Sequence, residues 1–266
     1  MLNSLNTVPN GVFQMPPIGV NLPEVYALSN PKNSINSFAT LNNQGYMITY
    51  LHDLSRAFVE YSSIASAPVL DIGTAYGFVA LEALKRGASV IANDLDSRHL
   101  EELSRRVPKD ALERISYVVG RVPEDVVFSP NSLGAVHAAG VLHYLSPTDF
   151  SLAIDNITSW LKPGGKFFLS TPSPYTNLYH KFLPTFKKNQ KLNNKWPGYI
   201  KDASKIIPEF FDNVPRSIYL IDEEFIKTRL EQNGFEIESI ESFDITLPTT
   251  KFKKQTNVLG VVACKL

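Results

Sequence analysis

Short apolar runs alternate with stretches of helical period through the middle of the chain, and that alternation predicts its architecture. Met47, Leu51, Leu54, Phe58 and Tyr61 recur at spacings of three and four, which predicts an amphipathic helix from Gln44 to about Ile64. Strands are expected at Pro68–Ile72, Ser89–Asn93, Ile115–Val119, Leu133–Ala139 and Lys166–Ser170, with helices over Phe78–Arg86, Arg98–Arg106 and Phe150–Trp160 between them. The strand runs are apolar throughout rather than alternating, the pattern of a parallel sheet covered on both faces. After Asp222 a helix runs to about Gln232 and stops at Gly234, as helices often do at glycine. Phe235–Phe243 and Asn257–Lys265 close the chain as two strands, read as a hairpin with a long loop.

Residues 1 to about 43 break the pattern. Prolines at 9, 16, 17, 23 and 31 exclude a long helix, so an extended arm or a set of turns is expected. At 266 residues and 44% hydrophobic content, the chain suffices for one sizeable α/β domain with an appendage. Lysine plus arginine equal aspartate plus glutamate at 26 each, so net charge points to no partner. The single cysteine, Cys264, excludes an internal disulfide and is read as a packing residue in an apolar run. No Cys/His spacing suggests a metal site. The N-terminus lacks a basic region followed by an apolar stretch, and no run of about 18 apolar residues occurs anywhere. A soluble, cytoplasmic protein is expected; the oligomeric state is not legible.

The segment richest in chemistry is Val69-Leu70-Asp71-Ile72-Gly73-Thr74-Ala75-Tyr76-Gly77-Phe78. A strand ends in an acid, two glycines follow, and a helix begins. Gly73 allows the backbone to turn tightly and approach a ligand, and Gly77 lets the helix start close to the sheet. Free N–H groups at the helix start complete a polar cradle. The spacing is neither Gly-x-Gly-x-x-Gly nor a P-loop. Asp71 would repel a pyrophosphate but suits a ligand carrying a positive amino group, which disfavours dinucleotides and ATP. One strand later Asp94 closes Ser89-Val90-Ile91-Ala92-Asn93-Asp94, placed so that its two oxygens can accept both hydroxyls of a ribose. Asp96 fits less well, since it begins the next helix.

These segments resemble the first two motifs of the class I S-adenosylmethionine-dependent methyltransferases. Gly140-Val141-Leu142-His143-Tyr144-Leu145 is similar to the family's segment after the fourth strand, and Leu161-Lys162-Pro163-Gly164-Gly165 to its turn into the fifth, with both glycines expected at positive φ. The resemblance implies a three-layer Rossmann-like sandwich. Its seven-stranded, mostly parallel sheet would carry an antiparallel C-terminal strand, an N-terminal helical or irregular extension, and an insertion after the fifth strand. Residues 1–66 would be an arm and helix acting as a candidate lid. Residues 67–266 would be the methyltransferase domain, with 173–220 as a substrate cap.

The implied cofactor is S-adenosyl-L-methionine, with S-adenosyl-L-homocysteine as product. It would be held by Asp71, Ile72, Gly73, Thr74, Ala75 and Gly77 in the turn, Asp94 and Leu95 at the second strand, Arg121 and Val122 at the third, and Ala139 and Gly140 at the fourth. Two positions depart from the family. Gly120-Arg121 stands where an acid usually accepts the adenine amino group, and the fourth strand opens Leu133-Gly134-Ala135 rather than with an acid. Adenine recognition then falls to the backbone around Arg121 and Val122 or to stacking; alternatively Arg121 caps a helix or pairs with Glu124.

Methyl transfer from a sulfonium needs alignment, exclusion of water and removal of a proton. His143 is the candidate base and Tyr144 a candidate wall of the same pocket, although a histidine there can equally be a cofactor-pocket wall. His137 reads as a satisfied core histidine; His52 reads as a surface one or, alternatively, as a group closing over the cofactor, with Tyr46 and Tyr50 on the same helix as a lid face. The insertion mixes Tyr175, Tyr179, Phe182, Phe186, Trp196, Tyr199, Phe210 and Phe211 with Lys181, Lys187, Lys188, Lys191 and Lys195, and Asn156–Ile200 holds no acid. It is read either as a cap admitting an anionic or amphipathic acceptor or as a solvated loop packed by its aromatics. Nucleic acid is disfavoured, because the cluster lacks arginine. The expected function is methyl transfer to a small-molecule acceptor; the alternative is a cofactor-binding or regulatory protein of the same fold without turnover.

Overall fold

A computed structural model describes residues 37–208, 214–248 and 253–266, without side chains at 37–39, 246–248 and 253–255. Most of the proline-rich arm, together with Phe210 and Phe211, lies outside the described residues. The chain opens with β1 (Ser37–Ala39) and β2 (Tyr46–Ile48), an antiparallel hairpin, followed by α1 (Asp53–Ser62). The central run is β3 (Val69–Ile72), α2 (Phe78–Lys85), β4 (Val90–Asp94), α3 (Ser97–Ser104), β5 (Ile115–Val119), β6 (Leu133–Ala139), α4 (Pro147–Trp160) and β7 (Leu161–Pro172). Then come α5 (Leu183–Lys191), a two-residue ribbon of β8 (Tyr199–Ile200) and β9 (Ile218–Tyr219), α6 (Glu223–Gln232), β10 (Phe235–Pro248) and β11 (Lys253–Lys265).

One seven-stranded sheet runs in the order β10-β11-β7-β6-β3-β4-β5. Neighbours from β7 to β5 pair in parallel, and β11 is antiparallel to both β7 and β10. The expected fold is therefore present. The apolar strand runs have the expected cause: Leu70 and Ile72 pack to one face with α4 and α6, whereas Val69 packs to the other with α1, α2 and α3. Phe167 and Leu169 likewise oppose Phe168 across β7. Phe150 of α4 is fully buried on the first face, and truncating it to alanine would cost about 3–5 kcal/mol.

The expected helix at Gln44 starts nine residues late. Asn42, Asn43 and Gly45 form a turn in which the Gln44 N–H donates to Thr40 Oγ1 (3.1 Å) and Asn43 sits at φ 53°. Polar turn residues between two short extended runs outweigh the apolar period there. The His52 side chain then caps α1 by accepting the Ser55 N–H at 3.3 Å, and the described helix begins at Asp53. Tyr46 lies in β2 and Tyr50 in the link, so neither is on the helix. Helix α4 starts at Pro147 rather than Phe150, because Ser146 supplies the cap and proline suits the first turn. The Leu161–Gly165 segment is the bulged beginning of β7, and only Gly164 (φ 77°) is at positive φ, not both glycines. The closing hairpin is also longer than its two apolar runs.

Candidate cofactor and acceptor site

The turn after β3 is built on close approach. Gly73 has φ 64°, and a Cβ there would lie 2.5 Å from the Val141 side chain in the loop after β6. Gly77 has φ 81°, and a Cβ there would clash with the Leu103 side chain of α3. Gly77 does not line the cavity described below. Its conformation lets α2 start against α3, so its contribution to a ligand is through the turn's shape.

Both aspartates at the strand ends are buried and already engaged. Asp71 is 3% exposed; Thr74 Oγ1 donates to its Oδ2 at 2.7 Å, and His137 Nδ1 lies 2.7 Å from its Oδ1. His137 Nε2 is 3.0 Å from Ser55 Oγ, which is 3.1 Å from His52 Nε2. Because His52 Nδ1 accepts the Ser55 N–H, the proton order follows. His52 Nε2–H donates to Ser55, Ser55 to His137 Nε2, and His137 Nδ1–H to Asp71. His52 is thus a half-buried link stacked on Phe243 at 4.7 Å, not a surface histidine. Burial, with His137 nearby, lowers its pKa to about 4.

Asp94 is 5% exposed and accepts three donors: the Ala75 N–H on Oδ2 (2.9 Å), the Asp96 N–H on Oδ1 (2.9 Å), and His99 Nδ1 on Oδ1 (2.9 Å). A carboxylate offers about four lone-pair sites, so about one remains, on Oδ2. The sequence reading had Asp94 accepting two hydroxyls; this geometry has room for one unless the Ala75 bond yields. Asn93 Nδ2 donates to the carbonyls of Val118 and Gly120, both at 3.0 Å, and ties the end of β4 to that of β5. Arg121 projects to the rim, 3.6 Å from Glu124 and 3.9 Å from Asp149. Its backbone N–H is taken by Asp125 Oδ2 at 3.0 Å, so that part of the expected adenine contact is already used.

These groups line a cavity of about 670 Å³ across the C-terminal ends of β3, β4, β5 and β6. Asp71, Ile72, Gly73, Thr74, Ala75, Asp94, Leu95, Arg121, Val122, Ala139, Gly140, His143 and Tyr144 all line it; Gly77 is the exception among the expected residues. Leu95 is half exposed and offers an apolar surface beside Asp94. The far end is walled by Tyr46, Ile48, Tyr50, Tyr144, Tyr179 and Ile218. His143 is 6% exposed, its ring centroid 4.0 Å from that of Tyr144, and its Nδ1 is buried with no hydrogen-bond partner among the described residues. Burial lowers the His143 pKa to about 3 and holds the Tyr144 and Tyr179 hydroxyls well above their ordinary value. This end therefore carries neutral groups at physiological pH.

The insertion has its own small core of Tyr179, Phe182, Phe186, Ile200, Ile218 and Leu220, while Trp196 and Tyr199 pack on the main core. Lys181, Lys187, Lys188, Lys191 and Lys195 are all exposed, and none lines the cavity. Sequence reasoning missed Ser55, Asn93 and His99 at the site, favoured a surface place for His52 over one closing on the cofactor, and read His137 correctly as a satisfied core histidine without its tie to Asp71. Asn93 and His99 flank Asp94 and were findable by proximity; Ser55 left no local signal. Among the described residues, no helix is long and apolar enough to cross a membrane.

Residues 69–165 match the family model of the methyltransferase domain. That region is thus similar to the methyltransferase domain, and the whole described chain has a Rossmann-like fold. A ubiquinone biosynthesis O-methyltransferase of Xanthomonas euvesicatoria pv. vesicatoria is 30% identical over 148 residues, which cover 53% of this chain and 61% of that protein. The chain thus spans about three fifths of the length of that curated relative. Among solved structures, a SAM-dependent methyltransferase from Methanosarcina mazei superposes with a TM-score of 0.59 at 18% identity, covering 81% of this chain and 98% of the other. A 1,6-didemethyltoxoflavin-N1-methyltransferase of Burkholderia thailandensis, solved with that compound and S-adenosylhomocysteine, gives 0.53 at 19%, covering 80% and 78%.

Proposed function

We propose that this protein is an S-adenosylmethionine-dependent methyltransferase acting on a small amphipathic acceptor. The observation that carries the reading is one continuous cavity joining the buried carboxylates at the ends of β3 and β4 to an uncharged chamber holding the unpaired His143 Nδ1. The residues fit the cofactor. Asp94 keeps about one lone pair for a ribose hydroxyl, Leu95 and Val122 offer apolar contact for the adenine, and Asp71 puts negative charge near the amino-acid end. Among the described residues no lysine lines the cavity to favour a phosphate. When bound, the cofactor supplies an electrophilic methyl group on a sulfonium.

The protein's own work is then to bind, orient and exclude water. Asp94 and the Gly73 turn fix the donor, and Tyr46, Tyr50 and Tyr179 enclose the acceptor. His143, neutral because it is buried, accepts the hydrogen bond of an acceptor hydroxyl at Nδ1 and takes its proton as transfer proceeds. Of the two acceptor classes read from the sequence, the amphipathic one is supported and the anionic one is not. Arg121, the one Lys or Arg among the described cavity residues, lies at the adenosine end, and the clustered lysines of the insertion are exposed and do not line the cavity. The name of the Xanthomonas relative supports an oxygen acceptor. Residues 1–66 would then serve as a lid and 173–220 as a cap.

The test is calorimetry with S-adenosylmethionine and S-adenosylhomocysteine, followed by transfer of labelled methyl to substituted phenols and to aminoalkyl phosphates. Micromolar binding and labelling of the phenols are expected. Absence of binding by either cofactor at millimolar concentration would remove the enzyme reading. Labelling of the phosphates alone would overturn the acceptor class.

A further inference from the structure

His99 is 1% exposed and makes two hydrogen bonds that fix its protonation. The Leu41 N–H donates to its Nε2 at 2.9 Å, so the ring proton resides on Nδ1 and is donated to Asp94 Oδ1 at 2.9 Å. One imidazole thus bridges the carboxylate expected to hold the ribose and the turn of the β1–β2 hairpin. The Leu41 carbonyl is bound as well, accepting from Arg98 Nη2 at 3.2 Å. Both backbone polar groups of Leu41 are therefore held by side chains from the first turn of α3.

The hairpin also lies against β10, which β1 approaches. Its strands are three residues each, and an isolated two-stranded hairpin is marginal in water. Its apolar anchorage is a small cluster of Leu41 and Met47 against Ala75, Tyr76 and Phe78, with Tyr76 also set edge-on to His99 at 5.2 Å. Yet Thr40, Asn42, Gln44, Tyr46 and Met47 form one wall of the cavity. The position of that wall depends on the same imidazole that steadies Asp94.

We propose that His99 is a positioning residue that couples ribose binding at Asp94 to docking of the β1–β2 hairpin over the cofactor. The inference rests on the cofactor reading above. A ribose hydroxyl donating to the remaining lone pair of Asp94 Oδ2 draws the carboxylate into one orientation. His99 is then held in the tautomer that accepts Leu41, and the wall closes. Coupling free energies of this kind correspond to about 5- to 150-fold in affinity.

The experiment is hydrogen exchange of the amides at 40–50, with and without ligand, on the wild-type chain and on His99→Phe. S-adenosylhomocysteine and 5′-methylthioadenosine, which both contain ribose, are expected to slow exchange in the hairpin, whereas homocysteine is not. In His99→Phe, binding of S-adenosylhomocysteine is expected to weaken about 10- to 100-fold. At saturation the variant's hairpin should stay unprotected, while exchange in β3–β6 is unchanged. Arg98→Ala, which loses the carbonyl tie and the ion pair with Asp96 but keeps the His99 bridge, should show partial protection. Ligand binding to the wild type without hairpin protection overturns the inference and leaves the cofactor reading standing, as does equal protection in His99→Phe. Should His99→Phe not fold, protection of the wild type by homocysteine equal to that by methylthioadenosine overturns it. No binding of S-adenosylhomocysteine by the wild type removes the cofactor reading, and the coupling with it.

Discussion

The two ends of the cavity are built on opposite principles. At the ends of β3 and β4, polar groups are buried and nearly saturated: Asp71 is held by Thr74 and His137, Asp94 by two backbone N–H groups and His99. At the chamber beyond β6, the buried groups are few, neutral and partly unpaired, with His143 Nδ1 buried and without a partner among the described residues. A saturated network cannot readjust cheaply, because each buried donor or acceptor left unpaired costs about 1–3 kcal/mol. The first end is therefore suited to hold one fixed ligand geometry. The second keeps an unsatisfied atom, which is what proton transfer to a varied acceptor needs.

That contrast breaks first at His143. Replacing His143 with alanine should lower the rate of methyl transfer about 10²- to 10⁴-fold while leaving calorimetric affinity for S-adenosylhomocysteine within about twofold. An equal loss in both quantities would show that the chamber and the floor are not separate. The converse variant, Asp94→Asn, removes a charge that three donors share. It should raise the dissociation constant for S-adenosylhomocysteine about 10- to 100-fold, with a smaller effect on turnover at saturating cofactor.

Acid distinguishes the ends by stability. The folded-state pKa values of His52 and His143 are lowered to about 4 and about 3, both mainly by burial, against 6.5 for the free side chain. Below pH 6.5 the unfolded chain takes up protons that the folded chain refuses, so their neutral burial costs nothing above pH 6.5. Stability should fall as the pH drops toward 4, by up to about 1.4 kcal/mol per pH unit per histidine. Denaturant melts between pH 7 and 5 check this, and His143→Gln should flatten the slope. The smallest effect is expected from the triple variant Lys187→Ala, Lys188→Ala and Lys191→Ala. It should change acceptor affinity less than about twofold between low and high salt, since exposed charges outside the cavity are screened. A larger change would reinstate charge recognition by the insertion.

Much of the fold and part of the site were legible. The bounds of β5 and β6 match their apolar runs, and the Gly73 turn and Asp94 fall where a strand–turn–helix unit puts them. The hairpin before α1 was not legible as such. The apolar positions Met47 and Leu51 fit a helical period by coincidence, and the turn chemistry of Asn42, Asn43 and Gly45 overrode it. His137 is the satisfied core histidine that the sequence suggested, but the partners of the histidines were not legible, for a different reason. Ser55 and His137, or Leu41 and His99, become partners only when elements far apart in the chain pack together, and no local pattern marks such a pair.

What the sequence by itself determined is therefore the layered α/β frame and the glycine turn at its centre, because both follow from apolar period and backbone freedom over a few residues. The tertiary structure decided how many lone pairs Asp94 keeps, which way the protons run from His52 to Asp71, and that His143 Nδ1 is buried without a partner among the described residues. Those are properties of burial and of donors matched across distant segments, and they exist only once the chain has closed around them.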